Sequence, residues 1–221
     1  MTGVLFCGIL DRAHLCRGQN RISTHLNTHT FADPTQYWMP VIRPLSNNQN
    51  EMNAVASLIT SHFADGWSYD VPVNDESAGT FVRVAEQNDD LVGVMALTIY
   101  ASRERLRDAM HLIDTVEPIP HESQYGFIHA GYVDPERTGE GIGSSLIERL
   151  HEIGESQGLN TFIADAWFHG GSDSPARLLT THGYDVAHTH SIAGHTEGPC
   201  PKCGTTCVCE AALTIRSVSN E

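Results

Sequence analysis

The stretch Val133-Asp134-Pro135-Glu136-Arg137-Thr138-Gly139-Glu140-Gly141-Ile142-Gly143-Ser144 joins a strand to a helix with little between them. Before it, Tyr125 to Val133 is apolar and aromatic enough to read as a strand. After it, Ile142, Leu146, Leu150 and Ile153 recur at helical spacing, and Gly158 is a stop. Glycines let the backbone come close to a ligand. The first turn of a helix offers unpaired N–H groups and the positive end of its dipole. Together these suit a phosphate or pyrophosphate. On these residues alone other readings stay open. A glycine cluster can be only a tight turn. A dinucleotide fingerprint needs a parallel βαβ unit with an acid roughly 20 residues on. A P-loop needs Lys-Ser or Lys-Thr, and neither follows Gly143.

Working outward, Val41 to Pro44 reads as a short strand. Ser46 is a candidate cap for a helix in which Met52, Val55, Leu58, Ile59 and Phe63 share one face, with Gly66 as its stop. Thr80 to Glu86 and Leu91 to Tyr100 form a hairpin about Gln87-Asn88-Asp89-Asp90. Leu106, Met110 and Ile113 fit one short helix that Pro118 and Pro120 end. Thr161 to Trp167 is a strand, Pro175 to His182 a helix stopped at Gly183, and Tyr184 to His190 and Glu210 to Ile215 the last strands. This order predicts an α+β fold, a mixed sheet with helices on its faces. There is no internal repeat.

The 221 residues, 40% of them hydrophobic, suit one globular domain. A net charge of −14 argues against nucleic acid as a partner. Lys202 is the only lysine, and acid excess without lysine fits a protein from a halophilic, high-salt cytoplasm. No stretch approaches the roughly 20 apolar residues of a membrane span. Gly3 to Leu10 is too short and lacks a preceding basic residue, so a cytoplasmic location is expected. Residues 1–38 differ from the rest: with Met39 and Pro40 they hold three arginines against two aspartates and show no periodicity. They read as a flexible extension or as the product of too early a start, with Met39 the true first residue; Cys7 and Cys16 there are given no role. The domain proper is 39–221.

Val133-x-Pro135, then Gly139-x-Gly141-x-Gly143 and an apolar helix, with Gly183-Tyr184 after a later short helix, resembles the GNAT superfamily of N-acetyltransferases. The element order from about 41 to 216 matches as well. The resemblance implies a GNAT-like, mostly antiparallel sheet and acetyl-CoA as co-substrate. The pantothenate arm would lie where the strand ending at Val133 splays from the one beginning near Thr161, pairing with backbone at Tyr132 and Val133. The pyrophosphate would rest on amides around Thr138, Gly139, Gly141, Ile142, Gly143 and Ser144. The amine would attack the thioester directly, with a backbone N–H near Val133 polarising the carbonyl. Two departures stand out. The family usually has Arg or Gln where this chain has Thr138, and Arg137 comes one place early. The family often has a tyrosine, donor of a proton to the leaving thiolate, where this chain has Leu179. The resemblance leaves the acceptor open, a small-molecule or protein amine, and leaves room for a homodimer. A non-catalytic acyl-CoA sensor or interaction module is the alternative that Leu179 supports.

Transfer from a protonated amine needs a proton acceptor. His129, four residues before Val133 and so on the same face of an unbroken strand, is the first candidate catalytic residue; some family members resemble this chain in carrying a histidine there. Asp165 on the neighbouring strand is the second and Glu86 the third. Tyr125, Trp167 and His169 are candidate pocket walls.

Cys200-Pro-Lys-Cys203-Gly and Cys207-Val-Cys209 place four of six cysteines within ten residues, in a loop (191–209) with no strand pattern. A Cys-x-x-Cys-Gly turn aims two thiolates at one point, and a second pair completes a structural Zn²⁺ site like a zinc knuckle before the last strand. His188, His190 or His195 could replace one sulfur. A redox pair, two disulfides and an iron–sulfur cluster are the alternatives. Some haloarchaeal GNAT-like proteins resemble this chain in this loop.

Overall fold

Residues 39–62, 70–110, 113–168, 175–194, 199–200 and 203–218 are described by a computed structural model. The readings placed on 1–38, Phe63, Gly66, His169, His195 and Lys202 lie outside these.

Alternating apolar residues set the first half. β1 (Val41–Pro44), β2 (Thr80–Gln87) and β3 (Asp90–Tyr100) form an antiparallel meander, with Asn88 and Asp89 at positive φ in the two-residue turn. Between β1 and β2, α1 (Gln49–Thr60) buries Val55, Leu58 and Ile59. Its cap is Asn48 rather than Ser46: Asn48 Oδ1 accepts from the Glu51 N–H at 3.0 Å, and the Glu51 carboxylate reaches back to the Ser46 N–H at 2.9 Å. The cap lies two residues beyond the expected one, and Glu51 closes on Ser46 rather than on the cap residue itself.

α2 (Arg103–Ala109) is shorter than the apolar spacing predicts. It ends with Met110 as its C-cap, and Ile113 packs on the same cluster from beyond the helix. β4 (Tyr125–Val133), α3 (Ile142–Ser156), β5 (Thr161–Phe168), α4 (Ala176–Thr181), β6 (Asp185–Ser191) and β7 (Glu210–Ser217) complete the order. The sheet runs β1-β2-β3-β4-β5-β7-β6. Only β4 and β5 are parallel. Cores lie on both faces. α3 and α4 cover Leu97, Ile128, Phe162 and Ala164; α1 and α2 cover the opposite face, where Val84, Ala96, Phe127, Ile163 and Leu213 point.

The α3 face buries a histidine. His151 Nε2 lies 2.8 Å from the Tyr184 hydroxyl, and its ring stacks on Tyr184 at 5.5 Å. Burial first, then Arg216 and His182, push its pKa down to about 3. The unfolded chain therefore binds a proton below about pH 6.5 that the folded chain refuses until about pH 3. Stability is fully present above the unfolded value and falls by about 1.4 kcal/mol per pH unit below it. Replacing His151→Gln removes this group, so urea unfolding should show the gap between variant and parent narrowing from pH 7 to pH 5. A constant gap would contradict the assignment.

Candidate active site

The parallel ladder between β4 and β5 is short. Gly126, Phe127 and Ile128 pair with Phe162, Ile163 and Ala164, and there it stops, although both strands continue. Among the described residues, the β4–β5 ladder is not continued beyond Ile128 and Ala164. A bulge accompanies the parting. Tyr132 pairs with Val94 and His129 with Ala96, so Ala130 and Gly131 together oppose Met95. Ala130 takes φ +50 to do so. One extra residue bends a strand and re-aims the side chains after it.

The bulge corrects one expectation. Four residues of regular strand would put His129 and Val133 on one face, but the extra residue reverses the parity. Val133 packs on the α3 face, its Cγ2 near Gly143, whereas His129 lies on the α1–α2 face beside Thr98 and Phe127.

Beyond Val133, Asp134 caps a short 3-10 turn, accepting from the Glu136 N–H at 2.9 Å. Gly139 and Gly141 follow at φ +87 and +82. Conformation demands glycine at these two positions, since a Cβ would meet nothing within 4 Å at either. Gly141 is the N-cap of α3, with no side-chain cap and no acid in the first turn. The helical ladder begins with Ser145 N–H to Gly141 O at 3.0 Å. The amides of Ile142, Gly143 and Ser144 thus precede the first intrahelical bond and carry the positive end of the dipole.

These amides and the split strand open onto one cavity of about 200 Å³. Gly131 and Val133 wall one side, and Arg137 to Gly139 with Gly141 to Ser144 another. His62, Met95, Pro175 and Leu178, none singled out from sequence, close it. Only the helical stop after α1 and the apolar run of α4 could have hinted at His62 and Leu178. Arg137, one place early by sequence, does reach the cavity; its guanidinium bonds Gln87 Oε1 and lies 3.9 Å from Glu140. Leu179 is fully buried among the α3-face core and contributes only packing.

On the α1–α2 face, His129 and Asp165 flank the parting of the strands. They are the next pair in register after Ile128 and Ala164. His129 Nε2 lies 2.8 Å from Thr98 Oγ1, and its ring stacks on Phe127 at 5.4 Å. Burial pushes its pKa down to about 4. Asp165 Oδ2 accepts from the Trp167 indole at 3.1 Å and sits 3.4 Å from His190 Nε2. Its Oδ1 is buried and makes no hydrogen bond among the described residues. Burial lowers the His190 pKa, but Asp165 and Asp114 outweigh it, and the net shift is upward. Glu86 is elsewhere, paired with Arg43 at 2.6 Å. Tyr125 is buried as well; its hydroxyl donates to Pro120 O at 2.9 Å and accepts from the Glu122 N–H at 2.8 Å, which anchors a loop and lines nothing.

The four C-terminal cysteines come together as expected, with all sulfurs within 4.8 Å of one another. Cys200 and Cys209 Sγ are 3.6 Å apart and Cys203 and Cys209 Sγ 3.3 Å, too far for a disulfide. Cys200 and Gly204 exchange two backbone bonds of 2.8 Å, and the Cys203 N–H points at Cys200 Sγ. Burial and the neighbouring sulfurs push the Cys209 thiol well up. Four thiolates so close repel one another unless a cation neutralises them, so the donor set fits a tetrahedral thiolate-bound metal. His188 and His190 are not needed there.

A β-strand that leaves its parallel neighbour over an uncapped, glycine-led helix is the framework of an acyl-coenzyme A acyltransferase. The sequence agrees: the model of the Acetyltransferase (GNAT) family matches residues 49–176. The chain belongs to the GNAT family of acetyltransferases. No curated protein matches it significantly. Among solved structures, an aminoglycoside 6'-N-acetyltransferase complexed with coenzyme A superposes with a TM-score of 0.54 at 12% identity, covering 82% of this chain and 98% of its own. An agmatine N-acetyltransferase mutant in its apo form gives 0.53 at 16%, covering 81% and 99%. The ribosomal-protein-alanine N-acetyltransferase from Brucella melitensis gives 0.53 at 16%, covering 80% and 99%. These likenesses are of fold.

Proposed function

We propose that the chain transfers an acetyl group from acetyl-CoA to an amine by direct attack on the thioester. The observation that supports this most is the shared cavity: β4 beyond the end of its ladder with β5 and the first-turn amides of α3 line the same space. The diphosphate rests on the Gly139 to Ser144 turn, where backbone N–H groups and the helix dipole stand in for lysine side chains. The pantothenate arm lies along Gly131 to Val133, taking the place of a β5 partner. The acceptor comes from the α1–α2 face, where His129 and Asp165 stand. Its nitrogen forms the new C–N bond, the C–S bond breaks, and the sulfur leaves as thiolate, which needs little help from an acid at Leu179.

The depressed His129 pKa sets its task. Neutral at pH 7, it cannot deprotonate a free alkylammonium of pKa about 10. It can take the proton from the far more acidic ammonium of the tetrahedral adduct. Relatives of this fold carry names with unrelated amines, so the fold does not choose the acceptor. Zinc on Cys200, Cys203, Cys207 and Cys209 serves structure, because four sulfurs leave no position for water.

Thiol release measured with acetyl-CoA and a panel of amines tests the reading; no turnover with any amine would defeat it. His129→Asn, which retains a partner for Thr98, should lower kcat about 10²-fold with KM little changed. The parent kcat should show no acid limb near pH 6.5 from this residue. An unchanged kcat in the variant would remove His129 from the chemistry.

A further inference from the structure

Asp114, His188 and His190 offer ligand atoms that all lie within 4.8 Å of one another, a group separate from the four cysteines and on the same face as Asp165. The sequence does not suggest this meeting, because a bulge creates it. Val186 pairs with Thr214 but His188 with Leu213, so Ala187 is extra and both histidines turn to the covered face. Their rings stack at 5.9 Å, nearly coplanar at 7°. The loop after α2 delivers Asp114, whose Oδ1 is 2.9 Å from His188 Nε2. The His190 side chain is fully buried; its Nε2 has only a loose contact with Asp165 Oδ2 at 3.4 Å, and among the described residues Nδ1 makes no hydrogen bond. A buried imidazole nitrogen left without a bond is costly, so the arrangement suits a ligand.

We propose that these three side chains bind a second divalent transition ion of the Zn²⁺ type. Two imidazoles and a carboxylate are borderline donors suited to zinc. Asp165, 3.4 Å from His190 Nε2, takes the position of the carboxylate that orients a metal-bound histidine from behind. Ala211 lies opposite both Trp167 and His190, and its small side chain leaves room for Asp165 to reach across β7. Asp114 is exposed and His188 half-buried, which gives the ion a path from solvent. Three protein ligands leave one position for water or an incoming group, unlike the closed cysteine site. The proposal stands independently of the transferase reading.

The test uses the full untagged chain, stripped with chelator and reloaded with Zn²⁺ or Co²⁺ alone. Elemental analysis should find two ions per chain. Asp114→Asn and His188→Ala, both at sites with solvent access, should each retain one. Cobalt held by the cysteines shows thiolate charge transfer in the near ultraviolet; cobalt at the second site shows only weak visible bands, lost in both variants. Asp165→Asn should weaken the second ion about 10- to 100-fold. One ion per chain, with charge transfer and insensitive to His188→Ala, would overturn the proposal. So would two ions retained in both variants.

Discussion

Gly141→Asp should lose coenzyme A binding by about 10²-fold, near 2.7 kcal/mol, while the protein stays folded. The site gives the reason for both expectations. A Cβ at Gly141 meets nothing within 4 Å, and aspartate tolerates the left-handed conformation better than most residues. As an N-cap, aspartate favours α3 by accepting from its first amides. Those are the amides proposed to hold the diphosphate, and the new carboxylate both occupies and repels there. Gly141→Ala separates the effects: it carries the backbone strain of about 1–2 kcal/mol without the charge, and should weaken binding far less. Calorimetry with coenzyme A measures both. Parent-like affinity in Gly141→Asp would refute the diphosphate assignment.

Removing metal from the cysteine cluster should be as costly to stability. Cys200 and Cys209 belong to the α1-side core with Trp167, Ile192 and Ala211, so a ligand lost there also disturbs packing. A deficit of about 3 kcal/mol, modest for a structural zinc, lowers Tm by about 6–12 °C in a chain of this size. Chelator and Cys209→Ser should produce the same drop, without adding. Val208→Ser, exposed between two ligands, should leave Tm unchanged. Identical melting of chelated and zinc-loaded parent would dismiss the metal.

Much of this was legible from residue types alone. Tyr125–Val133 and Ile142–Ser156 fall where the sequence puts them, because a strand buried on both faces reads as a short apolar run and a helix buried on one face leaves a plain period. The glycine turn announces its backbone geometry, since few other residues adopt those angles. What stayed hidden depends on residues that look ordinary. Ala130 is not a turn residue, yet it sits at φ +50 and moves His129 to the face opposite Val133. Ala187 does the same for His188. A bulge is settled by how two strands meet, and neither strand alone encodes it. Asn48 rather than Ser46 caps α1, a choice between near equals that residue type does not decide. Arg103 to Ala109 stops short for want of a capping signal: Pro118 lies too far on to set the end.

The place of β7 has a consequence for biosynthesis. It follows the other described strands in sequence, yet it inserts between β5 and β6, which have no ladder with each other. A ribosome that has released residues up to 209 has produced a sheet with an open slot, flanked by two unprotected edges. Every native pair β5 makes on that side waits for β7. The segment between β6 and β7 carries the cysteines, so a metal bound there would shorten the time those edges stay bare.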